Sequence, residues 1–187
     1  MTDAELTDGL RQRNASVVHF SHHAEMGRRT VFPTDLLQAI ENKDAWTLSC
    51  HVIWPDHRMD LVGSVGIILQ PTAISQVISV SSRDSGSREH HDGSDQSSGV
   101  PLSKESLDAT FNPTGAYNEW RVKGAQVAGI FVAEPPLIYT KKIQLIGGGP
   151  HQIETIASAE TSLREVIDAF PDLCIYTMES TGLKLIN

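Results

Sequence analysis

Cysteine is nearly absent. The 187 residues include only Cys50 and Cys174, too few for the disulfide framework of a small secreted scaffold. Both lie in strand-like apolar runs, at 48–53 and 173–178, so both are expected as buried free thiols. Long hydrophobic runs are missing as well, and none approaches the roughly 20 apolar residues of a membrane-spanning helix. The opening Met1-Thr2-Asp3-Ala4-Glu5 is acidic and has no apolar signal core. A cytoplasmic chain with no membrane partner is expected, or one exported without a cleaved signal. Basic residues are in the minority, 15 Lys and Arg against 23 Asp and Glu, for a formal net charge of −8. That balance argues against a surface built for non-specific nucleic-acid binding and leaves room only for a local basic groove.

Several catalytic signatures are missing too. There is no Gly-x-Ser-x-Gly elbow, and Gly147-Gly148-Gly149-Pro150 lacks the Lys-Ser/Thr and the helix start of a phosphate-cradling loop. Histidines and carboxylates do cluster, as His19, His22, His23 and Glu25, as His51, Asp56, His57 and Asp60, and as His90-His91-Asp92. None makes a His-x-x-x-His helix or a Cys-x-x-Cys pair, so a His-rich metal-dependent hydrolase is the weaker chemical reading.

What remains is the composition of an ordinary globular protein, 40% hydrophobic and 20% charged. Its length fits a single domain over 1–187 with a sizeable core. Thr2 and Glu5 have capping-box spacing ahead of a short helix at 3–13, and Pro33-Thr34 opens another over 35–42 with Leu36, Leu37 and Ile40 as its apolar face. Strands are expected at 16–21, 46–53, 63–69 and 76–80, separated by turn chemistry at Pro55-Asp56 and Pro71. From Ser81 to Gly99 no residue is apolar. This stretch cannot bury anything and should be mobile; it begins a long polar loop, 81–116, closed by a short helix at 104–110. Strands at 117–123 and 126–133 read as a hairpin joined at Gly124, and 137–146 reads as a further strand. Leu163, Val166, Ile167 and Phe170 follow helical periodicity behind the capping box Ser162/Glu165. Strands at 173–178 and 183–186 finish the chain. The fold class is α+β, a split mixed or antiparallel sheet with a few short helices.

Two placements are costly enough to suggest chemistry. His19 and Ser21 close the first strand, and Glu119 lies inside a late one, where an ionised carboxylate loses hydration unless something pairs with it. Alternation puts Tyr117, Glu119 and Arg121 on one face and Asn118, Trp120 and Val122 on the other, which is the natural core face. A solvated strand Glu and a hydrogen-bonded structural His are the bland alternatives.

The order of these residues resembles the ADP-ribosyltransferase superfamily. His19-Phe20-Ser21-His22 is similar to the opening of its histidine-type branch and of DNA-targeting toxin members. The stretch Tyr117-Asn118-Glu119-Trp120-Arg121-Val122 through Gly129-Ile130-Phe131-Val132 resembles the glutamate strand and its successor. The resemblance covers residues 16–133. It implies an enzyme of ADP-ribosyltransferase-like fold that uses NAD, with Glu119 on the nicotinamide ribose 2′-hydroxyl and stabilising the ribosyl cation. It further implies that His19 and Ser21 hold ribose and line the same cleft as Glu119. Phe20, Trp54 and Tyr117 would lie beside the cofactor, with Trp54, Phe32 and Tyr117 as candidates to stack on nicotinamide. The 81–116 loop would meet a target, protein, nucleic acid or small molecule. A toxin or effector role would bring a cognate antitoxin or immunity protein as partner. Where arginine-modifying members carry a second Glu, this chain has Tyr117, which disfavours arginine as acceptor. The rival class is a non-catalytic accessory or immunity-type protein whose acidic surface binds a basic partner.

Overall fold

A computed structural model describes residues 1–21, 32–82, 99–112, 117–133, 137–146 and 153–186. The mobility expected of the polar loop falls on 83–98, outside the described residues. Helix α1 (Asp3–Gln12) starts where the capping box predicts: Glu5 N–H donates to Thr2 Oγ1, and Thr2 N–H donates to the Glu5 carboxylate. Strand β1 (Ser16–Phe20) follows, then helix α2 (Thr34–Asn42) and strands β2 (Leu48–Ile53), β3 (Val65–Gln70) and β4 (Val77–Ser81). Helix α3 (Lys104–Thr110) precedes strands β5 (Glu119–Val122), β6 (Gln126–Val132), β7 (Leu137–Ile146) and β8 (Ile153–Ser162). Helix α4 (Leu163–Ala169) and the hairpin of β9 (Ile175–Glu179) and β10 (Gly182–Leu185) complete the chain.

Eight strands form one sheet in the order β10-β9-β6-β3-β1-β2-β5-β4, while β7 and β8 pair separately. Neighbours are antiparallel except β6 and β9, so the sheet is mixed and the fold is α+β. Side-chain alternation divides the apolar residues cleanly. Val17, Val52, Ile67 and Ile130 meet Leu6, Leu36, Leu107 and Val166, so all four helices cover one face. Their sequence neighbours Val18, Ile53, Ile68 and Phe131 form a smaller cluster with Phe20 on the other face. All five residues of β1 are buried, as befits a strand packed on both sides.

Three expectations are corrected. The strands β5 and β6 are not a hairpin: β5 lies between β2 and β4, and β6 lies between β3 and β9. The connection does not close on itself. Lys123 N–H donates to Gln76 O, Gly124 N–H donates to Lys43 O, and Gly124 turns with φ +72°. The chain thereby crosses to the far half of the sheet, a choice of partner that local turn chemistry does not encode. Leu37 is exposed, and Ala39 takes its place beside Leu36 on the buried face of α2. Cys174 is exposed and only Cys50 is buried; both are free. Burial, with the Glu119 carboxylate nearby, pushes the Cys50 thiol up beyond any reactive range. A thiol reagent should therefore modify Cys174 in the folded protein and reach Cys50 only in denaturant, as mass spectrometry of the labelled peptides would show. Equal labelling of both in the native protein would contradict the burial.

Candidate functional site

Strand β2 changes partner along its length. Its second half pairs with β1, ending at Val18↔His51, and its first half pairs with β5, from Leu48↔Val122 to Cys50↔Trp120. Ser49 stands within the second ladder, opposite Arg121 and just beyond the end of the first, and His19 and Glu119 both attach to it. The His19 Nδ1 lies 2.7 Å from the Ser49 carbonyl oxygen, and the Ser49 hydroxyl donates to Glu119 Oε1 at 2.7 Å. A carbonyl only accepts, so Nδ1 carries the proton, and in the neutral ring Nε2 is then the acceptor.

The two residues reach Ser49 by different routes. Strand alternation sets His19 with Val17 on the helix-covered face, and Glu119 with Arg121 on the other. The expected common cleft is therefore not formed by a shared strand face: the two meet only through Ser49, where β1 and β2 have ceased pairing after Val18↔His51 and the His19 ring reaches the Ser49 backbone. Both are buried, His19 4% and Glu119 9% exposed, whereas Ser49 itself is exposed. The carboxylate thus lies one hydrogen bond beneath solvent.

Supports around the seam explain its placement. Gly66 pairs with Phe20, and a Cβ there would lie 2.6 Å from Val18 and 2.7 Å from the His19 carbonyl, so only glycine lets β3 run this close to β1. Ser21 donates its hydroxyl to the buried Asp35 of α2 at 2.7 Å, and its N–H to Val65 O at 2.8 Å. The Ser21 donor is therefore committed to Asp35, leaving its oxygen as an acceptor. Asn118 is wholly buried. Its carboxamide donates to Val52 O at 2.9 Å and accepts from Val52 N–H at 2.7 Å, so a side chain extends the β2–β5 ladder by one step. That step fixes the start of β5 immediately before Glu119.

A row of rings lines the Glu119 side of β2. His51 meets Phe20 at 5.9 Å, Tyr117 at 5.6 Å and His57 at 4.8 Å between ring centres, and Trp54 meets His57 at 4.5 Å. Trp54 and Phe20 are buried and Tyr117 is half-buried, so these three expected cofactor residues gather near His51. Phe32 instead packs on Phe170 at 6.2 Å, in the helix-side core. None of the four ring nitrogens of His51 and His57 has a hydrogen-bond partner. The Met59 backbone lies close enough to favour protonation of His57, without hydrogen-bonding geometry. Burial, aided by His57, pushes His51 down to about 3, and burial likewise lowers His57, with Met59 and Asp60 opposing. Among the described residues, no group of three or more His, Cys, Asp or Glu is placed to hold a metal, and no helix is long and apolar enough to cross a membrane.

Ser49, Asp35 and Asn118 were not singled out by sequence. Each is a polar residue in or beside an apolar run, which is the signal that could have found them. Comparison with family models, with curated proteins and with solved structures finds no match for this chain.

Proposed function

We propose that the protein is an NAD-dependent ADP-ribosyltransferase, and that the observation carrying this reading is the convergence of His19 and Glu119 on Ser49. A carboxylate held one hydrogen bond from solvent suits a reaction in which positive charge develops on a sugar. In that reaction the bond from C1′ of the ribose to the nicotinamide nitrogen breaks and its electrons leave with neutral nicotinamide. The ribosyl cation is stabilised by the charge of Glu119, and an acceptor nucleophile then forms a bond to C1′ and loses its proton. The Ser49 hydroxyl would orient Glu119, and His19 Nε2 would accept from a ribose hydroxyl.

Nicotinamide release from NAD tests the reading. Glu119→Gln keeps an acceptor for Ser49 and removes the charge, so NAD should still bind while release falls on the order of 10²-fold or more. His19→Ala should weaken NAD binding together with turnover, because its role is positioning. Full activity in Glu119→Gln would overturn the site assignment. Wild-type protein that neither binds NAD nor releases nicotinamide, with candidate protein and nucleic-acid acceptors supplied, would favour a binding protein instead.

A further inference from the structure

Arg121 is used by none of the steps above, and strand register defines its neighbourhood. Ser49 on β2 and Ser79 on β4 both pair with it, so serine, arginine and serine form one row across three strands. On the β4 side the next row holds Glu119 opposite Ser81. Alternation puts Glu119 and Arg121 on the same face, away from the helices, with Arg121 exposed and Glu119 buried. Arg11, Arg13, Lys43, Arg164 and Lys184 each pair with a carboxylate. Arg121 pairs with none among the described residues, although Glu119 is only two positions away; Glu119 Oε1 accepts from Ser49 instead. We propose that Arg121 is the anion subsite of this face and binds the diphosphate of the nucleotide substrate. The proposal rests on the transferase reading for the placement of the ribose at Glu119.

The spacing fits one sugar. Alternate residues of a strand are roughly 6.5 Å apart. A ribose whose 2′-hydroxyl meets Glu119 carries its 5′-phosphate a comparable distance away, so it spans the step from Glu119 to Arg121. The signs of charge fit as well. Positive charge develops at C1′ beside the carboxylate, whereas the diphosphate is a permanent anion that the carboxylate repels. A guanidinium at the next position on the face offsets that repulsion and presents a planar fork of N–H donors to phosphate oxygens. Because Arg121 holds no ion pair, none has to break when a phosphate enters. Access follows from the two ends of the row. Past Ser79 the chain returns at Gly99, where a Cβ would lie 2.5 Å from the Ser79 hydroxyl oxygen, so that end is closed. At the other end Ser49 is exposed, which leaves the β2 side open to the ligand.

The test reads binding and not turnover. Isothermal titration calorimetry of the full chain with ADP and with adenosine compares wild type, Arg121→Gln and Arg121→Lys. ADP should bind the wild type, and Arg121→Gln should weaken it at least about tenfold, the scale of losing one charge-assisted contact. Adenosine, which has no phosphate, should not distinguish the two proteins. Arg121→Lys keeps the charge without the fork and should recover part of the loss. Wild-type affinity for ADP should fall as salt rises, and that of Arg121→Gln should fall less. Thermal midpoints of all three proteins without ligand should agree, because Arg121 is exposed. No ADP binding by the wild type, or undiminished binding by Arg121→Gln, overturns the inference. An equal loss of adenosine also overturns it, since the contact would then be with the nucleoside. ADP binding that depends on Arg121 without any nicotinamide release would keep the subsite and remove the transferase reading. Release from NAD with ADP binding indifferent to Arg121 would do the reverse.

Discussion

Asn118→Ala should destabilise the protein by about 2–5 kcal/mol, because it strips both partners from the Val52 backbone at once. The Asn118 carboxamide is the only group bonded to Val52 on that side in the described hydrogen bonds, as donor and as acceptor, and it is wholly buried. Alanine would leave an N–H and a C=O in a dry interior without replacing either bond. Water could relieve one of them only by opening the seam between β2 and β5. Urea unfolding of variant and wild type measures the difference, and a loss below about 1 kcal/mol would mean that the seam relaxes at little cost. The same substitution should loosen the start of β5, so any nicotinamide release should fall more than residual folding explains.

A second large effect is expected on acidification. The folded state holds His51 neutral, with its pKa near 3 against 6.5 for the ordinary group, chiefly through burial. The unfolded chain therefore takes up a proton that the folded one refuses. The stability contributed by the neutral ring is whole above pH 6.5 and declines as pH falls toward the folded value. The slope approaches about 1.4 kcal/mol per pH unit, so roughly 3 kcal/mol is lost by pH 4.5. His57 adds to the trend less strongly, being half-exposed. In His51→Phe, which keeps a flat ring against Phe20 and Tyr117, that part of the slope should vanish. Unfolding in chelator at pH 7, 6, 5 and 4.5 compares the two proteins, and carboxylate effects cancel between them. Parallel slopes would show that His51 finds a proton or a partner in the folded state.

The helices were legible because their signals are local. Thr2/Glu5 and Ser162/Glu165 make the reciprocal capping bonds that their spacing predicts, and α3 occupies 104–110 as read. Strand existence was legible from apolar runs, but strand partnership was not. Nothing within 117–133 says that β5 will join β2 across some seventy residues of chain rather than fold back on β6. That decision rests on bonds from Gly124 and Lys123 to Lys43 and Gln76, which lie far away in sequence. β8 was missed for a related reason: 153–162 is rich in Glu, Thr, Ser and Ala, and its strand state comes from a ladder with β7. At the candidate site, His19 and Glu119 stood out because a titratable group in a strand is conspicuous. Ser49 did not, since a serine on the exposed side of a strand is commonplace until its two partners are known.

The change of partner along β2 bears on how such a site could be turned off. Glu119 and Asn118 belong to a two-strand edge patch, β5 and β4, while Ser49, Val52 and His19 belong to the larger remainder of the sheet. Opening that patch breaks the Glu119–Ser49 and Asn118–Val52 bonds and leaves the pairings from β1 to β10 untouched. Amide exchange should therefore sort into two tiers, with β5 and β4 exchanging through a partial opening and β1, β3 and β6 only through global unfolding. The carboxylate can be withdrawn from Ser49 while most of the molecule stays folded.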